Sequence, residues 1–238
     1  MKADLDDKIL KIGEKISIRR FEKVTADVVA SYIHGGGRIG VLVAGNGASD
    51  DAAKEALTNI AMQIAAMNPQ YISRDEISAD ELAKMKEITI DSALNDPFSL
   101  PKPVLSKLIE KAVAGVWSAE DVAIYEEKKS NMNFLPNFLS KEAKAQLAEI
   151  ACADKEEISG NKIFSGLVEG RISKQMKEIC LLDQVYVKAE DGKQTVAAYL
   201  KSVNPALKIA KFVRFEVGEG MEKKNEDFAA EVAKQMNV

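Results

Sequence analysis

The sequence predicts an α+β fold: a small antiparallel sheet packed with helices and interrupted by a long helical, coiled-coil-like insertion. Three observations carry that expectation. Two apolar runs, Val28 to Ile33 and Arg38 to Ala44, flank His34-Gly-Gly-Gly37, and glycines that permit positive φ make a tight hairpin the economical connection. The stretch Leu207-Lys-Ile-Ala-Lys-Phe-Val-Arg-Phe-Glu-Val217 alternates, with Val213, Phe215 and Val217 on one face and Arg214 and Glu216 on the other. Between these strand signals, Ser78 to Lys177 carries helical periodicity. Strands before and after a helical run imply one sheet completed by distant segments.

The elements follow in order. Ile16, Ile18 and Val24 give residues 16–24 a strand-like setting ahead of the hairpin. Ser49 or Asp50 caps the next helix, whose stripe is Leu57, Ile60, Ile64 and Met67, and Pro69 stops it. Leu82, Met85 and Ile88 predict a helix, and Pro97, Pro101 and Pro103 break the chain. A second helix carries Val104, Leu105, Leu108, Ile109 and Ala112. Ser118-Ala-Glu-Asp121 has capping-box spacing, and Ser140 caps a further Ala-rich helix. Ile163, Leu167, Ile172 and Met176 share a stripe, so the excursion reads as an antiparallel helical hairpin with decoration. Gln184 to Lys188 is a short strand, Asp191-Gly192 a turn, and Thr195 caps a helix over Val196 to Val203. After the closing strand, Gly218-Glu-Gly220 leads to a short helix at Asn225 to Val232. The expected divisions are a lead-in segment (1–27), an α+β core (28–77 with 181–217), the helical excursion (78–180) and a C-terminal helical module (218–238).

Composition narrows the function classes. The chain has 238 residues, 46% hydrophobic and 29% charged, as in ordinary globular proteins. A net charge of -4 and a pI near 5.3 argue against non-specific nucleic-acid binding. No apolar run approaches the roughly 18 residues of a membrane span, and the acidic Met1-Lys-Ala-Asp-Leu-Asp-Asp7 shows no secretory signal. Cys152 and Cys180 form no CxxC pair and His34 is the sole histidine, so a Cys/His zinc site is nearly excluded and no metal or cofactor is expected. Two thiols without a disulfide framework fit a reducing cytoplasm.

One motif invites an enzymatic reading, that of an NAD(P)-dependent oxidoreductase. Gly40-Val-Leu-Val-Ala-Gly-Asn-Gly-Ala-Ser49 is an apolar strand, a Gly-x-Gly turn and a helix start. Three residues beyond Gly47, however, stands Asp50, whose carboxylate would repel a pyrophosphate. No strand with a terminal acid follows about 20 residues on, where a ribose would need one. His34 on its glycine turn reads either as a solvated polar residue or as a functional one. No catalytic residue emerges. A third reading is a helical scaffold whose residues 96–160 recruit another protein.

Several segments, in order, resemble elongation factor Ts. Lys11-Ile-Gly-Glu-Lys-Ile-Ser-Ile-Arg-Arg20 resembles the family's lead into its central core, and Ser31-Tyr-Ile-His-Gly-Gly-Gly-Arg-Ile-Gly-Val-Leu-Val43 its hairpin signature. Asn59-Ile-Ala-Met-Gln-Ile-Ala-Ala66 resembles the next helix, Leu167-Val-Glu-Gly-Arg171 and Leu181-Leu-Asp-Gln184 the return from its coiled coil, and Arg214-Phe-Glu-Val-Gly-Glu-Gly220 its closing strand. The resemblance covers the chain outside roughly residues 96–160, a stretch longer than the usual family hairpin.

That resemblance implies a non-enzymatic exchange factor that binds elongation factor Tu and strips it of GDP, with no direct contact to nucleic acid or membrane. It places Ile12, Gly13, His34, Gly35 and Arg38 on the surface facing the partner. It also implies that the C-terminal helix docks on the partner through the ridge Phe228, Val232 and Met236, spaced i, i+4, i+8; the same ridge could instead pack on the chain's own core. The family's N-terminal helical module and its Thr-Asp-Phe tripeptide are not in this sequence. The lead-in therefore reads as a remnant of the N-terminal core half and the chain as the C-terminal part of that core, whether fragment, processed form or short variant. Weaker acceleration of GDP release than a full-length relative's is the corresponding expectation.

Overall fold

Three successive glycines decide where the chain first reverses. Gly35, Gly36 and Gly37 hold φ of 60°, 66° and 99°, a run that residues with a β-carbon do not sustain. The computed structural model describes residues 2–221. Helix α1 (Lys2–Ile12) precedes the hairpin strands β1 (Val28–His34) and β2 (Ile39–Asn46), and α2 (Asp51–Met67) follows them. Helices α3 (Ala79–Asn95), α4 (Lys102–Gly115), α5 (Ala119–Lys128), α6 (Lys141–Ala153), α7 (Lys155–Ser159) and α8 (Lys162–Ile179) come next. The described chain closes with α9 (Val196–Val203) and β3 (Lys208–Glu216). The fold is α+β, with one antiparallel three-stranded sheet in the order β1-β2-β3.

The chain divides into two compact units. One comprises residues up to Asn68 together with those from Ala197, and the other Pro69–Val196. In the first unit, α2 lies on the sheet. Asp50 starts it by accepting the Ala53 N–H at 2.8 Å, and Asn68 ends it in the left-handed conformation, φ 46°. Leu57, Ile60 and Ile64 are fully buried against Val28, Ala30, Val41 and Val43. Burial of each such side chain is worth about 1.5–3 kcal/mol. Asn59 Nδ2 donates to Tyr199 Oη at 2.9 Å and so fastens α9 to α2.

Helices α3 to α8 build the second unit around its own core, which includes Leu94, Leu105, Ile109, Leu135, Leu147, Phe164 and Val168. Segments 69–77 and 181–196 group with these helices. Gln70 and Tyr71 donate their N–H groups to Ile179 O, and Leu181 N donates to Tyr71 O at 2.9 Å. Ser78 and Glu81 form a capping box at the start of α3. Two further caps are joined by one carboxylate. Ser118 caps α5 and Ser140 caps α6, while Asp121, only 6% exposed, accepts from Ser118 Oγ at 2.8 Å, Ser140 N at 2.9 Å and Ser140 Oγ at 2.9 Å. Asp121, in the first turn of α5, thus ties that helix start to the cap of α6, 19 residues further along the chain.

Several sequence expectations need correction. Residues 16–24 form no strand: Ile18 and Phe21 are exposed, and the segment is held by its side chains instead of a ladder. Gln184 to Lys188 is not a strand either, since only an isolated bridge joins Val185 to Thr195 and both Val185 and Val187 face solvent. The buried side of α8 is Phe164, Val168 and Met176, whereas Ile163 is exposed. Leu82 and Ile88 of α3 are exposed as well. Helix α1 was not anticipated, and none of its residues is buried. The expected helix at 225–232 lies outside the described residues.

Asp121 gives a direct test. Burial raises its carboxyl pKa, but hydrogen bonds from Ser140 and Ser118 outweigh that and hold it below the usual carboxylate range. A lowered folded pKa means stability that is present at neutral pH and lost as pH falls through that value. Asp121→Ala should cost about 3 kcal/mol, since the carboxylate accepts several charge-assisted bonds in a buried site. Urea unfolding should show that loss at pH 7. The gap between the parent chain and Asp121→Asn should close as pH drops below the ordinary carboxylate range.

Candidate partner-binding surface

The sheet presents one covered face and one open face. Register places Val28, Ala30, Val41 and Val43 toward α2. The opposite face is a grid of three rows: Val29–Ala44–Lys211, Ser31–Leu42–Val213 and Ile33–Gly40–Phe215. Gly40 sits between two large apolar side chains, and a β-carbon there would meet nothing within 4 Å. The result is a trough of about 240 Å³ walled by Ile33, Leu42, Val213 and Phe215, with Ile33 71% exposed. Sequence reasoning misses this trough, although the signal was available. Alternate positions on both faces of these strands are apolar, and alternation alone cannot say which face a helix covers.

The lead-in segment borders the trough along β3. Glu22 accepts from Lys211 Nζ at 2.9 Å, and the Arg20 guanidinium lies 4.4 Å from the centre of the Phe215 ring. Arg20 also donates to Glu219 at 2.7 Å, and Arg19 donates to the carbonyl oxygens of Glu219 and Gly220. Chiefly the Arg20 hydrogen bond holds the Glu219 carboxyl below its ordinary pKa. These side-chain links fasten Glu22 to β3, and Arg19 and Arg20 to the turn that follows it.

At the end of the hairpin the glycine turn projects His34, Gly35 and Arg38. His34 is exposed, and its Nδ1 lies 3.0 Å from Tyr32 Oη, which fixes the ring's position. The Arg38 side chain folds over Gly35, and Arg38 O accepts from Val217 N at 2.8 Å, so the residue just after β3 braces the tip. Three of the residues singled out from sequence therefore stand together at one end of the sheet. Ile12 and Gly13 close α1, with Ile12 58% exposed and Gly13 at φ 78°. Neither is tied to the tip by a hydrogen bond or ion pair among the described residues. Phe228, Val232 and Met236 lie outside the described residues.

The Gly45-Asn46-Gly47 turn is occupied by the protein itself. A β-carbon on Gly47 would overlap the Ala206 carbonyl, and Gly47 N donates to the Asp27 carboxylate at 2.9 Å. The glycine is needed for a close backbone approach, and the N–H that would hold a phosphate already serves an acid. β2 is moreover the central strand of an antiparallel sheet, not the first strand of a parallel βαβ unit. The dinucleotide reading of this turn is thereby overturned. Among the described residues no group of three or more His, Cys, Asp or Glu side chains is arranged to hold a metal ion. Of the two free cysteines, Cys152 is exposed and Cys180 buried, and burial pushes the Cys180 thiol pKa up. No helix among the described residues is long and apolar enough to cross a membrane.

Gly47→Ala should accordingly destabilise the sheet unit by about 2–3 kcal/mol, because it combines a positive-φ site with a backbone clash. Gly40→Ala, in open space on the same strand, should change stability by no more than about 1 kcal/mol. Equal losses for the two variants in thermal or urea unfolding would refute the structural assignment of Gly47.

Comparison with known proteins bears on this surface. The family model described as Elongation factor TS matches residues 1–219. A protein from Clostridioides difficile (strain 630) named Elongation factor Ts is 38% identical over 236 residues, covering 98% of this chain and 58% of its own length. Proteins of the same name from Clostridium botulinum (strain Eklund 17B / Type B) and Clostridium novyi (strain NT) are each 36% identical, covering 96% and 100% of this chain. The chain spans 57% and 59% of the length of these last two relatives.

Proposed function

The chain belongs to the elongation factor Ts family, and on that premise we propose that it works in translation elongation as a guanine-nucleotide exchange factor. In this reading it binds elongation factor Tu and promotes GDP release by contact. It is a cytoplasmic, non-enzymatic factor that touches neither nucleic acid nor membrane directly. The observation that carries the proposal is the hairpin tip. The segment that most resembles the family's signature is also the one that presents exposed His34, Gly35 and Arg38 on a braced sheet end. Ile12 and Gly13 on the lead-in, and Phe228, Val232 and Met236 near the C-terminus, complete the proposed contact set.

The physics required is differential binding. A factor accelerates release only if it interacts more strongly with the nucleotide-free partner, and with the path toward it, than with the loaded one. A tenfold acceleration needs about 1.4 kcal/mol of extra interaction in the release transition state. A contact residue already held in place suits that task, because less side-chain freedom is lost on docking. Tyr32 already holds the His34 ring, and the Val217 N–H already holds the Arg38 carbonyl.

His34→Ala should lower the rate of fluorescent-GDP release from elongation factor Tu by about threefold to tenfold, or ~0.7–1.4 kcal/mol of transition-state interaction. Its urea midpoint should stay unchanged, because His34 is exposed. An unaltered stopped-flow rate would remove His34 from the contact set and return it to the class of solvated turn residues.

A further inference from the structure

We propose that Tyr32 is a positioning residue for the hairpin tip. Its hydroxyl donates to His34 Nδ1, locks the imidazole in the tautomer that carries its proton on Nε2, and leaves that N–H free for a docking partner. The partner then has to supply an oxygen acceptor, a backbone carbonyl or a carboxylate. The partner's part rests on the exchange function proposed above, whereas the tautomer is a property of the free chain.

The strand itself creates the pair. Residues two apart in β1 share a face, so Tyr32 and His34 stand on the side of Val28 and Ala30, while Ile33 between them walls the open trough. Tyr32 is half-buried and pairs across the ladder with Val41, which is 2% exposed; His34 is exposed at the strand's end. The phenol thus starts from a packed row and reaches along the strand toward the tip. Its ring centre lies 5.8 Å from that of the imidazole, with the planes 40° apart, so the rings do not stack. What joins them is the 3.0 Å contact between Tyr32 Oη and His34 Nδ1. Among the described residues the His34 ring has no second hydrogen-bond partner.

Two arrangements satisfy that distance. Either the phenol O–H donates to an unprotonated Nδ1, or a protonated Nδ1 donates to the phenol oxygen. The phenol oxygen is a poor acceptor, because its lone pair is delocalised into the ring, whereas its O–H is a good donor. The unprotonated imidazole nitrogen is the best acceptor of the pair. The first arrangement is therefore lower in energy. The hydrogen bond made by one ring nitrogen decides where the other proton sits. With Nδ1 accepting, the neutral ring carries its proton on Nε2, at the edge away from Tyr32. A partner then meets a donor that is already in place and need not select one tautomer and one ring orientation out of several.

His34 is the sole histidine of the 238-residue chain, so nitrogen NMR of the labelled full chain reports one imidazole. At about pH 8, above the ordinary histidine range, the spectrum should show a protonated Nε2 and an unprotonated Nδ1. Tyr32→Phe removes only the hydroxyl and should give the averaged signals of two exchanging tautomers. In stopped-flow GDP release from elongation factor Tu, Tyr32→Phe should slow the reaction by about threefold. In a His34→Ala background it should have no further effect, the mark of one group acting through another. His34→Gln, whose amide N–H reaches the place of Nε2, should stay within about twofold of the parent rate. His34→Asn, whose amide reaches only the place of Nδ1, should fall to the level of His34→Ala. A proton on Nδ1 in the parent spectrum, or a Tyr32→Phe spectrum identical to the parent's, would overturn the inference whatever the exchange rates. The stated tautomer in a parent chain that does not accelerate GDP release would instead contradict the exchange function and uphold the role of Tyr32 in the free chain.

Discussion

The pairing of β2 with β3 is the interaction on which the rest of this structure depends. It joins residues 39–46 to residues 208–216 and makes the early hairpin into a three-stranded sheet. Without it, β1 and β2 would be a two-stranded ribbon, marginal in water. Closure over a long intervening stretch is not prohibitive, because each doubling of loop length costs only about 0.6 kcal/mol. The intervening chain also forms a second unit with its own core. The helical excursion thus need not take its stability from the sheet it interrupts.

The same pairing shapes the candidate surface. Val217, just past β3, braces the glycine tip by donating to Arg38 O, and the turn after it receives the two arginines of the lead-in. Only one face of the resulting sheet is covered by α2. The other carries Ile33, Leu42 and Phe215 around an empty glycine position. A sheet with one apolar face left open is a surface prepared for contact, and exposed apolar area of this kind marks interaction sites on soluble proteins. The glycine turn that invited a cofactor reading is filled by Ala206 and Asp27.

Much of this was legible in the residues. The glycine run between two apolar stretches marks the hairpin, and the stripe Leu57, Ile60, Ile64 marks the helix that covers it. The closing strand follows from its alternation. Other features were illegible for physical reasons. Ile16, Ile18 and Val24 alternate as a strand would, yet strand formation needs a free edge to pair with, and a local pattern does not report edges. The Asp121 clasp joins two serine caps distant in sequence, each of which looks like an ordinary local cap. The stripe on α8 was read one position off at Ile163, because several adjacent apolar residues leave its phase ambiguous.

The proposed function requires that this chain act through a shaped surface that prefers a GTPase without its nucleotide. Calorimetric titration of the 238-residue chain into elongation factor Tu, once emptied of nucleotide and once loaded with GDP, tests that preference directly. The account predicts binding to both, tighter for the empty form by at least about tenfold, or ~1.4 kcal/mol of coupling. Equal affinities for the two forms, or no heat with either, would contradict it.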